Sequence, residues 1–212
     1  MKTHMQIDKI KARKTPLQLR SKERVERIIA TTEQLVISCD PSEITTSLIA
    51  EKANVPVGSV YQYFEDRDGV LLALGERVLN AKDQRLKKIF DEVSEQAHWR
   101  HVVKVVVNAH IKVETENILH QKLNAALANN TEWEGINQAS TNRMIDFFSR
   151  YGLLEAQELP SKEAKNIVRI IVIMTTAVVR RATELKSKED SDLLLAELLK
   201  MIIAYLSTKL GD

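Results

Sequence analysis

The sequence predicts an all-α fold, and three observations support this class. Only 6 glycines and 4 prolines occur among 212 residues. Apolar residues recur at spacings of three and four through most of the chain, as one face of a helix requires. Strong helix formers such as Leu, Ala, Glu and Lys are abundant. The length suffices for one large domain or two small ones with a hydrophobic core.

Bulk properties exclude several classes of protein. The single cysteine, Cys39, rules out an internal disulfide and fits a reducing cytoplasm. The N-terminal region is charged and lacks the apolar segment of a secretory signal. The longest apolar run, residues 170–179, is about half of the ~20 residues that a membrane span needs. We therefore expect a cytoplasmic protein without a membrane helix.

Charge is distributed unevenly along the chain. Residues 1–24 contain eight Lys or Arg against two acids, a net charge of +6, whereas the whole chain has +2. We expect residues 1–19 to form a basic, mobile arm. Such an arm on a mildly acidic body suggests a polyanionic partner, and a solvated tail without a partner is the open alternative.

The first half of the chain predicts two longer helices that flank two short ones. A helix is expected at about residues 20–39, before an Asp-Pro pair that disfavours further helix. A short helix follows at 45–53, where either of the first two threonines is a suitable N-cap. Residues 54–58, NVPVG, are typical of a turn. A second short helix to residue 64 and a long helix at 66–92, capped by an aspartate, complete this half.

The second half predicts further helices, of which the last two are the most apolar. We expect them at residues 99–117, 118–128, 141–150, 162–184 and 191–210, with Gly135 and Gly152 in the joints. The helices at 162–184 and 191–210 carry apolar residues on nearly every face, so they need burial on nearly every face. A four-helix bundle formed by two chains would provide it, which predicts a homodimer. A central helix pair within one domain is the alternative.

Residues 45–64, TTSLIAEKANVPVGSVYQYF, combine features that suit a helix-turn-helix. In this motif the second helix lies in the DNA major groove. Threonine hydroxyls can cap the first helix and donate to phosphate, and Asn54 tolerates the positive φ of a tight turn. Gly58 and Ser59 are small enough to let the second helix approach base edges. The same arrangement used only for packing is the alternative interpretation.

Residues 44–74, ITTSLIAEKANVPVGSVYQYFEDRDGVLLAL, resemble the DNA-binding motif of the TetR family of transcriptional regulators. The resemblance covers roughly residues 20–80. It implies a DNA-binding head at residues 20–65 and a body at 66–212 that binds a small-molecule inducer and dimerises. It also implies a repressor of a palindromic operator, whose inducer spreads the two heads, and no enzymatic activity. A helix-turn-helix protein that acts through protein partners, without an inducer, remains the alternative.

The resemblance also assigns DNA contacts residue by residue. The set comprises Thr45, Thr46, Ser47, Val57, Gly58, Ser59, Tyr61, Gln62, Tyr63 and Arg67. By position, Thr46, both tyrosines and Arg67 would contact the DNA backbone. The positions that would face the bases are Ser47, Val57, Gly58, Ser59 and Gln62. Three residues depart from the family pattern. Asn54 replaces a common glycine, Val57 would make an apolar base contact, and Arg67 replaces the usual lysine. Residues 25–67 carry a net charge of −4, which the basic arm would offset.

The rest of the chain carries no catalytic, cofactor or metal motif. His98 and His101 lack a third nearby ligand, so no metal site and no cofactor are expected. Inducer sites are mostly apolar with a few polar groups, and one group of residues is suited to line such a cavity: Trp99, His110, Glu114, Met144, Phe147, Phe148 and Tyr151. A core histidine and a core aromatic cluster are the alternatives for these positions.

Overall fold

A computed structural model of the chain describes residues 19–94, 98–150 and 160–211. These ranges contain nine α-helices, one short 3-10 helix and no strand, so the all-α prediction is confirmed. The helices are α1 (Leu19–Ser38), a 3-10 helix (Pro41–Glu43), α2 (Thr46–Lys52), α3 (Val57–Tyr63), α4 (Arg67–Ser94), α5 (Trp99–Thr115), α6 (Ile118–Ala126), α7 (Thr131–Arg150), α8 (Ser161–Thr183) and α9 (Lys188–Leu210).

The described residues form two compact units. Unit 1 comprises the residues up to Leu79 together with Ile118–Ile136, and unit 2 comprises Asn80–Asn117 and the residues from Asn137 onwards. Helices α4 and α7 therefore contribute residues to both units. These units are defined by packing, whereas the division near residue 66 concerns function and stays a prediction.

The core of unit 1 is built from α1, α2, α3, the first part of α4, and α6. Ile28, Ile49, Val60, Phe64 and Leu71 are each at most 1% exposed. These side chains recur at helical spacing, so each short helix presents one apolar face to the others. Helices of 7 residues, such as α2 and α3, are too short to be stable alone. Their conformation therefore depends on this shared core.

Side-chain caps and one left-handed residue fix the short helices of unit 1. The Thr45 hydroxyl accepts a hydrogen bond from the backbone N–H of Leu48 at 3.1 Å, and thereby caps α2. Asn54 has φ 52°, so the prediction of a positive φ in the turn is confirmed. The Asp66 carboxylate accepts from the backbone N–H of Gly69 at 2.8 Å, which confirms its predicted capping role.

A tryptophan packed on a glycine joins α4 and α7 within unit 1. Trp133 is 4% exposed, and its indole N–H donates to the Asn124 side-chain oxygen at 3.0 Å. A Cβ atom at Gly75 would lie 2.2 Å from the Trp133 ring. Position 75 therefore has room only for a hydrogen in the observed packing, a constraint that the sequence did not reveal.

Unit 2 contains the long helices α5, α8 and α9, which pack against one another. Its main core includes Trp99, Val107, Ile167, Val179 and Ile202, all at most 5% exposed. A smaller cluster combines Leu86, Val113 and Met144 with partly buried phenylalanines.

The start of α7 differs from the sequence-based prediction. The helix begins at Thr131 instead of residue 141, and Gly135 lies inside it instead of in a joint. The Asn130 side chain caps the new start by accepting from the backbone N–H groups of Glu132 and Trp133 at 3.0 and 3.1 Å. Gly135 is exposed, and an exposed glycine costs a helix only about 1 kcal/mol relative to alanine. A cost of this size is too small to end a well-capped helix. The prediction that Gly135 lies in a joint between helices was therefore wrong. Gly152 lies outside the described residues.

The last two helices match their predicted positions closely. α8 begins directly after Pro160, and α9 begins three residues before the predicted start because Ser187 caps it. The Ser187 hydroxyl accepts from the backbone N–H of Asp190 at 3.2 Å. No helix in the described ranges is long and apolar enough to cross a membrane.

Candidate functional sites

Helices α2 and α3 form a pair with one buried and one exposed face. Ile49, Ala50 and Val60 anchor the pair in the core of unit 1. The backbone N–H of Val55 donates to the carbonyl oxygen of Ala50 at 3.0 Å, which closes the turn between the helices. The buried face fixes the angle of the pair, so the opposite face is presented as a rigid surface.

Most of the predicted DNA contacts lie on that exposed face. The exposed ones are Thr45, Ser47, Val57, Gly58, Tyr61 and Gln62, while Thr46, Ser59 and Arg67 are half-buried. Val57 is 44% exposed and Tyr61 is 42% exposed, which is unusual for large apolar or aromatic side chains. An added Cβ at Gly58 would meet nothing within 4 Å, so the start of α3 is open to an approaching surface.

Two hydroxyl groups meet at the junction of α2 and α3. The Thr46 Oγ1 atom lies 2.9 Å from the Tyr61 hydroxyl oxygen, across 15 residues of sequence. Each hydroxyl has one hydrogen and two lone pairs. One hydroxyl donates to the other, and the second hydrogen stays available for an external acceptor. The pair thus offers a preformed donor beside the N-terminus of α2.

Two of the predicted contacts also have packing roles that the sequence did not reveal. Tyr63 is only 3% exposed and belongs to the core of unit 1. The Arg67 guanidinium donates to the carbonyl oxygen of Pro41 at 2.6 Å and to the Asp68 carboxylate at 3.0 Å. These bonds tie the start of α4 to the 3-10 helix. A contact of Tyr63 or Arg67 with the DNA backbone stays a prediction.

A cavity of about 110 Å³ lies within unit 2 and is lined by side chains of α4, α5, α7, α8 and α9. Three of the predicted ligand residues, His110, Met144 and Phe148, line it. Trp99, Glu114 and Phe147 do not belong to the lining, and Tyr151 lies outside the described residues. Trp99 packs into the main core of unit 2 instead.

Aromatic rings form one wall of the unit-2 cavity. Phe90 and Phe148 both line it, with ring centroids 5.2 Å apart and planes at 62°. Phe147 packs edge-on against both rings from outside the lining, at centroid distances of 5.6 and 5.3 Å. The sequence pointed to the α7 phenylalanines but did not single out Phe90, because Phe90 reads as part of the apolar stripe of α4.

Two ion pairs lie at or beside the polar part of the unit-2 cavity, whose lining includes Lys82 and Ser140. The Lys82 ammonium lies 2.8 Å from a Glu114 carboxylate oxygen, and these residues are 8% and 9% exposed. The Asp83 carboxylate accepts from the Ser140 hydroxyl at 2.7 Å and from the Arg143 Nε at 3.0 Å. The partners are 32 to 60 residues apart in sequence, so no local pattern could have identified them.

Large apolar side chains remain exposed on α8 and α9. Ile170 and Ile173 of α8 are 52% and 48% exposed, and Leu193, Met201 and Tyr205 of α9 are 57%, 59% and 38% exposed. The α9 residues recur at spacings of eight and four, so they form one stripe along the helix. We call these five exposed residues the α8–α9 stripe.

Two family matches cover most of the described chain. Residues 28–74 match the family described as "Bacterial regulatory proteins, tetR family". Residues 98–206 match the family described as "Tetracyclin repressor-like, C-terminal domain". The chain belongs to the TetR family. It is accordingly a DNA-binding transcriptional regulator with an N-terminal helix-turn-helix, as the resemblance of residues 44–74 implied.

Solved structures with the same fold include other members of the TetR family. A regulator from Pectobacterium atrosepticum has a TM-score of 0.72 and 16% identity, covering 92% of this chain and 98% of that chain. One from Streptomyces coelicolor has a TM-score of 0.66 and 20% identity, covering 89% and 98%. SmeT in complex with triclosan has a TM-score of 0.62 and 19% identity, covering 86% and 91%. No curated protein is similar enough in sequence to count as a match.

Proposed function

We propose that this TetR-family regulator represses transcription in the cytoplasm by binding a palindromic operator as a homodimer, and that a small molecule in unit 2 releases it. The residues to 65 act as the DNA-binding head, and those from 66 onwards bind ligand and dimerise. The observation that carries the proposal is the exposed face of α2 and α3, held on a rigid core. No catalytic role or cofactor is part of it.

DNA recognition is divided between two kinds of contact on that face. The hydroxyl pair of Thr46 and Tyr61 donates its remaining hydrogen to phosphate and fixes the position of the head. The exposed start of α3, with Val57, Gly58 and Gln62, faces base edges in the major groove. Val57 contacts a thymine methyl group, since its side chain offers no hydrogen bond.

Dimerisation follows from the α8–α9 stripe. One chain leaves these apolar side chains in water, whereas two chains related by a twofold axis would bury both stripes against each other. Two recognition helices then dock one DNA turn apart, about 34–36 Å. A twofold dimer also explains why the operator would be palindromic.

A ligand can change the operator affinity of the protein only if it prefers one conformational state of the protein to another. A ligand lowers operator affinity only if it binds better to states whose recognition helices do not match the half-site spacing. The lining of the unit-2 cavity is mostly apolar with a few polar groups, as is usual for a small-molecule site. SmeT, a protein of the same fold, has been solved with triclosan bound, which supports a small-molecule site in this chain.

Selection from a random DNA pool, with the full chain as bait, tests DNA recognition. We expect a palindrome with half-sites centred 10–10.5 base pairs apart. Affinity for the selected site, measured by fluorescence anisotropy, should fall steeply with salt, because phosphate contacts release counterions. Enrichment of no sequence, or an affinity indifferent to salt, would contradict the proposal and favour a protein that acts through protein partners.

Light scattering of charged variants tests the dimer. Ile173→Glu combined with Met201→Glu places charges in the α8–α9 stripe, so the variant should be monomeric and bind the operator weakly. Ile118→Glu is the matched control, because Ile118 is equally exposed, at 58%, but belongs to unit 1. A double variant that stays dimeric would exclude the stripe as the interface.

A further inference from the structure

The unit-2 cavity contains a buried hydroxyl group that the packing leaves without a partner. Thr175 of α8 is 4% exposed and lines the cavity. Its hydroxyl has no hydrogen-bond partner among the described residues. Other helical threonines satisfy this group on the preceding turn, as Thr141 does by donating to the carbonyl oxygen of Asn137 at 3.1 Å. A buried polar group without a partner is unfavourable, so Thr175 points to an external hydrogen-bonding group.

The charged groups near the cavity are already neutralised in pairs. Lys82, which lines the cavity, is bound to Glu114 at 2.8 Å. Asp83, beside the lining residue Ser140, is bound to Arg143 with Nη2 to Oδ2 at 2.9 Å. A ligand anion would compete with Glu114 for the Lys82 ammonium, and a ligand cation would meet no carboxylate among the residues that line the cavity. The electrostatics therefore favour an uncharged ligand.

Size and shape restrict the ligand further. The cavity of about 110 Å³ is well below the ~300–1,000 Å³ of sites for drug-sized molecules. It is close to the ~150 Å³ of an engineered apolar cavity that holds benzene. Phe90 and Phe148 both line the cavity, and their ring planes lie at 62° to each other. Aromatic rings prefer such edge-to-face contacts, and the thioether of Met144 in the same lining packs well against rings.

We propose that the unit-2 cavity binds an uncharged, single-ring aromatic compound that carries a hydroxyl or carbonyl group, and that this group exchanges a hydrogen bond with the hydroxyl of Thr175. The Phe90–Phe148 wall holds the ring, and the paired charges reject ionised analogues. This inference rests on the proposed ligand response and adds the chemical class of the ligand.

Calorimetric titration of the full chain with three probes of similar shape tests the proposal. 4-Methylphenol carries the hydroxyl, toluene lacks it, and 4-methylbenzoate is an anion at pH 7. We expect 4-methylphenol to bind about tenfold more tightly than toluene, as one hydrogen bond allows. 4-Methylbenzoate should bind at least about a hundredfold more weakly than 4-methylphenol. Tighter binding of the benzoate would overturn the proposal.

Substitutions at two threonines assign the hydrogen bond. Thr175→Val keeps the shape and removes the hydroxyl, so it should weaken 4-methylphenol binding about tenfold and leave toluene binding unchanged. Thr141→Val is the matched control, because Thr141 lines the same cavity but its hydroxyl is already satisfied. Thr175→Ser retains the hydroxyl and should retain affinity, which keeps the test valid if the valine variant folds poorly. If Thr175→Val and Thr141→Val lose the same amount of 4-methylphenol affinity, the proposed role of Thr175 is overturned.

Operator binding separates failure of this inference from failure of the proposed function. If none of the probes binds to a protein that still binds its operator as a dimer, the ligand class is wrong and the DNA-binding function stands. If 4-methylphenol binds through Thr175 but leaves operator affinity unchanged, the ligand class stands and the proposed ligand response fails.

Discussion

Units 1 and 2 place their candidate sites differently with respect to their cores. In unit 1 the site is a surface, carried by two short helices whose opposite faces are buried. In unit 2 the site is a cavity, and residues that line it, such as Leu86 and Met144, are also core residues. A surface site can change without loss of the fold. A change in the cavity site affects packing more directly, because side chains such as Leu86 and Met144 belong to both the lining and the core.

The largest effect is expected from the buried ion pair of unit 2. Lys82→Met removes the ammonium that pairs with the buried Glu114 carboxylate, which should cost about 3–5 kcal/mol of unfolding free energy. Urea denaturation at fixed protein concentration measures this loss, since a dimer's stability depends on concentration. The double variant Lys82→Met with Glu114→Leu should recover most of it, because it removes both charges. A single variant that loses less than about 1 kcal/mol would show that water reaches the pair.

The next largest effect is expected from a substitution in the core of unit 1, away from its surface site. Gly75→Ala drives a Cβ atom into the buried Trp133 ring, and such overpacking costs about 1–3 kcal/mol. Gly135→Ala is the matched control. It also replaces a helical glycine, but its Cβ meets nothing, so it should gain up to about 1 kcal/mol. Thermal unfolding of the two variants should shift in opposite directions, and equal shifts would contradict the packing at Gly75.

The sequence predicted correctly those features that depend on interactions between residues close together in the chain. Caps and turns depend on neighbours within a few residues, so the roles of Asn54 and Asp66 could be assigned from the sequence alone. The cap of α2 could be narrowed to Thr45 or Thr46, of which the structure shows Thr45. The helix-turn-helix occupies 20 consecutive residues, so its pattern could also be recognised. Gly135 misled the prediction because a local breaker was overruled by the Asn130 cap.

The unit-2 cavity was only partly predictable because its residues are distant in sequence. Lys82 and Leu206 line the same cavity, although more than 120 residues separate them. Histidine, methionine and aromatic side chains suggested His110, Met144 and Phe148 as candidates. Thr175 gave no signal, since its role depends on a missing hydrogen bond that only packing shows.

The surface site of unit 1 should lose DNA affinity without losing stability. Thr46→Val and Tyr61→Phe each remove one hydroxyl of the 2.9 Å pair. Each should weaken operator binding about tenfold, by a similar factor on every DNA sequence, because phosphate contacts carry no sequence information. Unfolding free energies should stay within about 0.5 kcal/mol, as is usual for exposed positions.

Ser38→Ala is the matched control for these hydroxyl variants. The Ser38 hydroxyl is also exposed in unit 1, but it donates to the carbonyl oxygen of Gln34 at 2.7 Å and lies outside α2 and α3. Its removal should leave operator affinity unchanged. If the control weakens binding as much as Thr46→Val does, the contact surface extends beyond the predicted face.

The smallest effect is expected from substitutions of Asn54. They test whether this residue matters only for the backbone conformation of the turn between α2 and α3. Asn54 adopts φ 52°, where alanine is strained by about 1–2 kcal/mol and glycine is not. Asn54→Ala should therefore destabilise unit 1 by about 1 kcal/mol. Asn54→Gly should be nearly neutral, because the relief of strain is offset by the larger entropy of the unfolded chain. Urea denaturation and operator affinity should change together in the alanine variant, since a distorted turn also tilts α3. Loss of affinity in the glycine variant at unchanged stability would instead show that the Asn54 side chain itself contacts DNA.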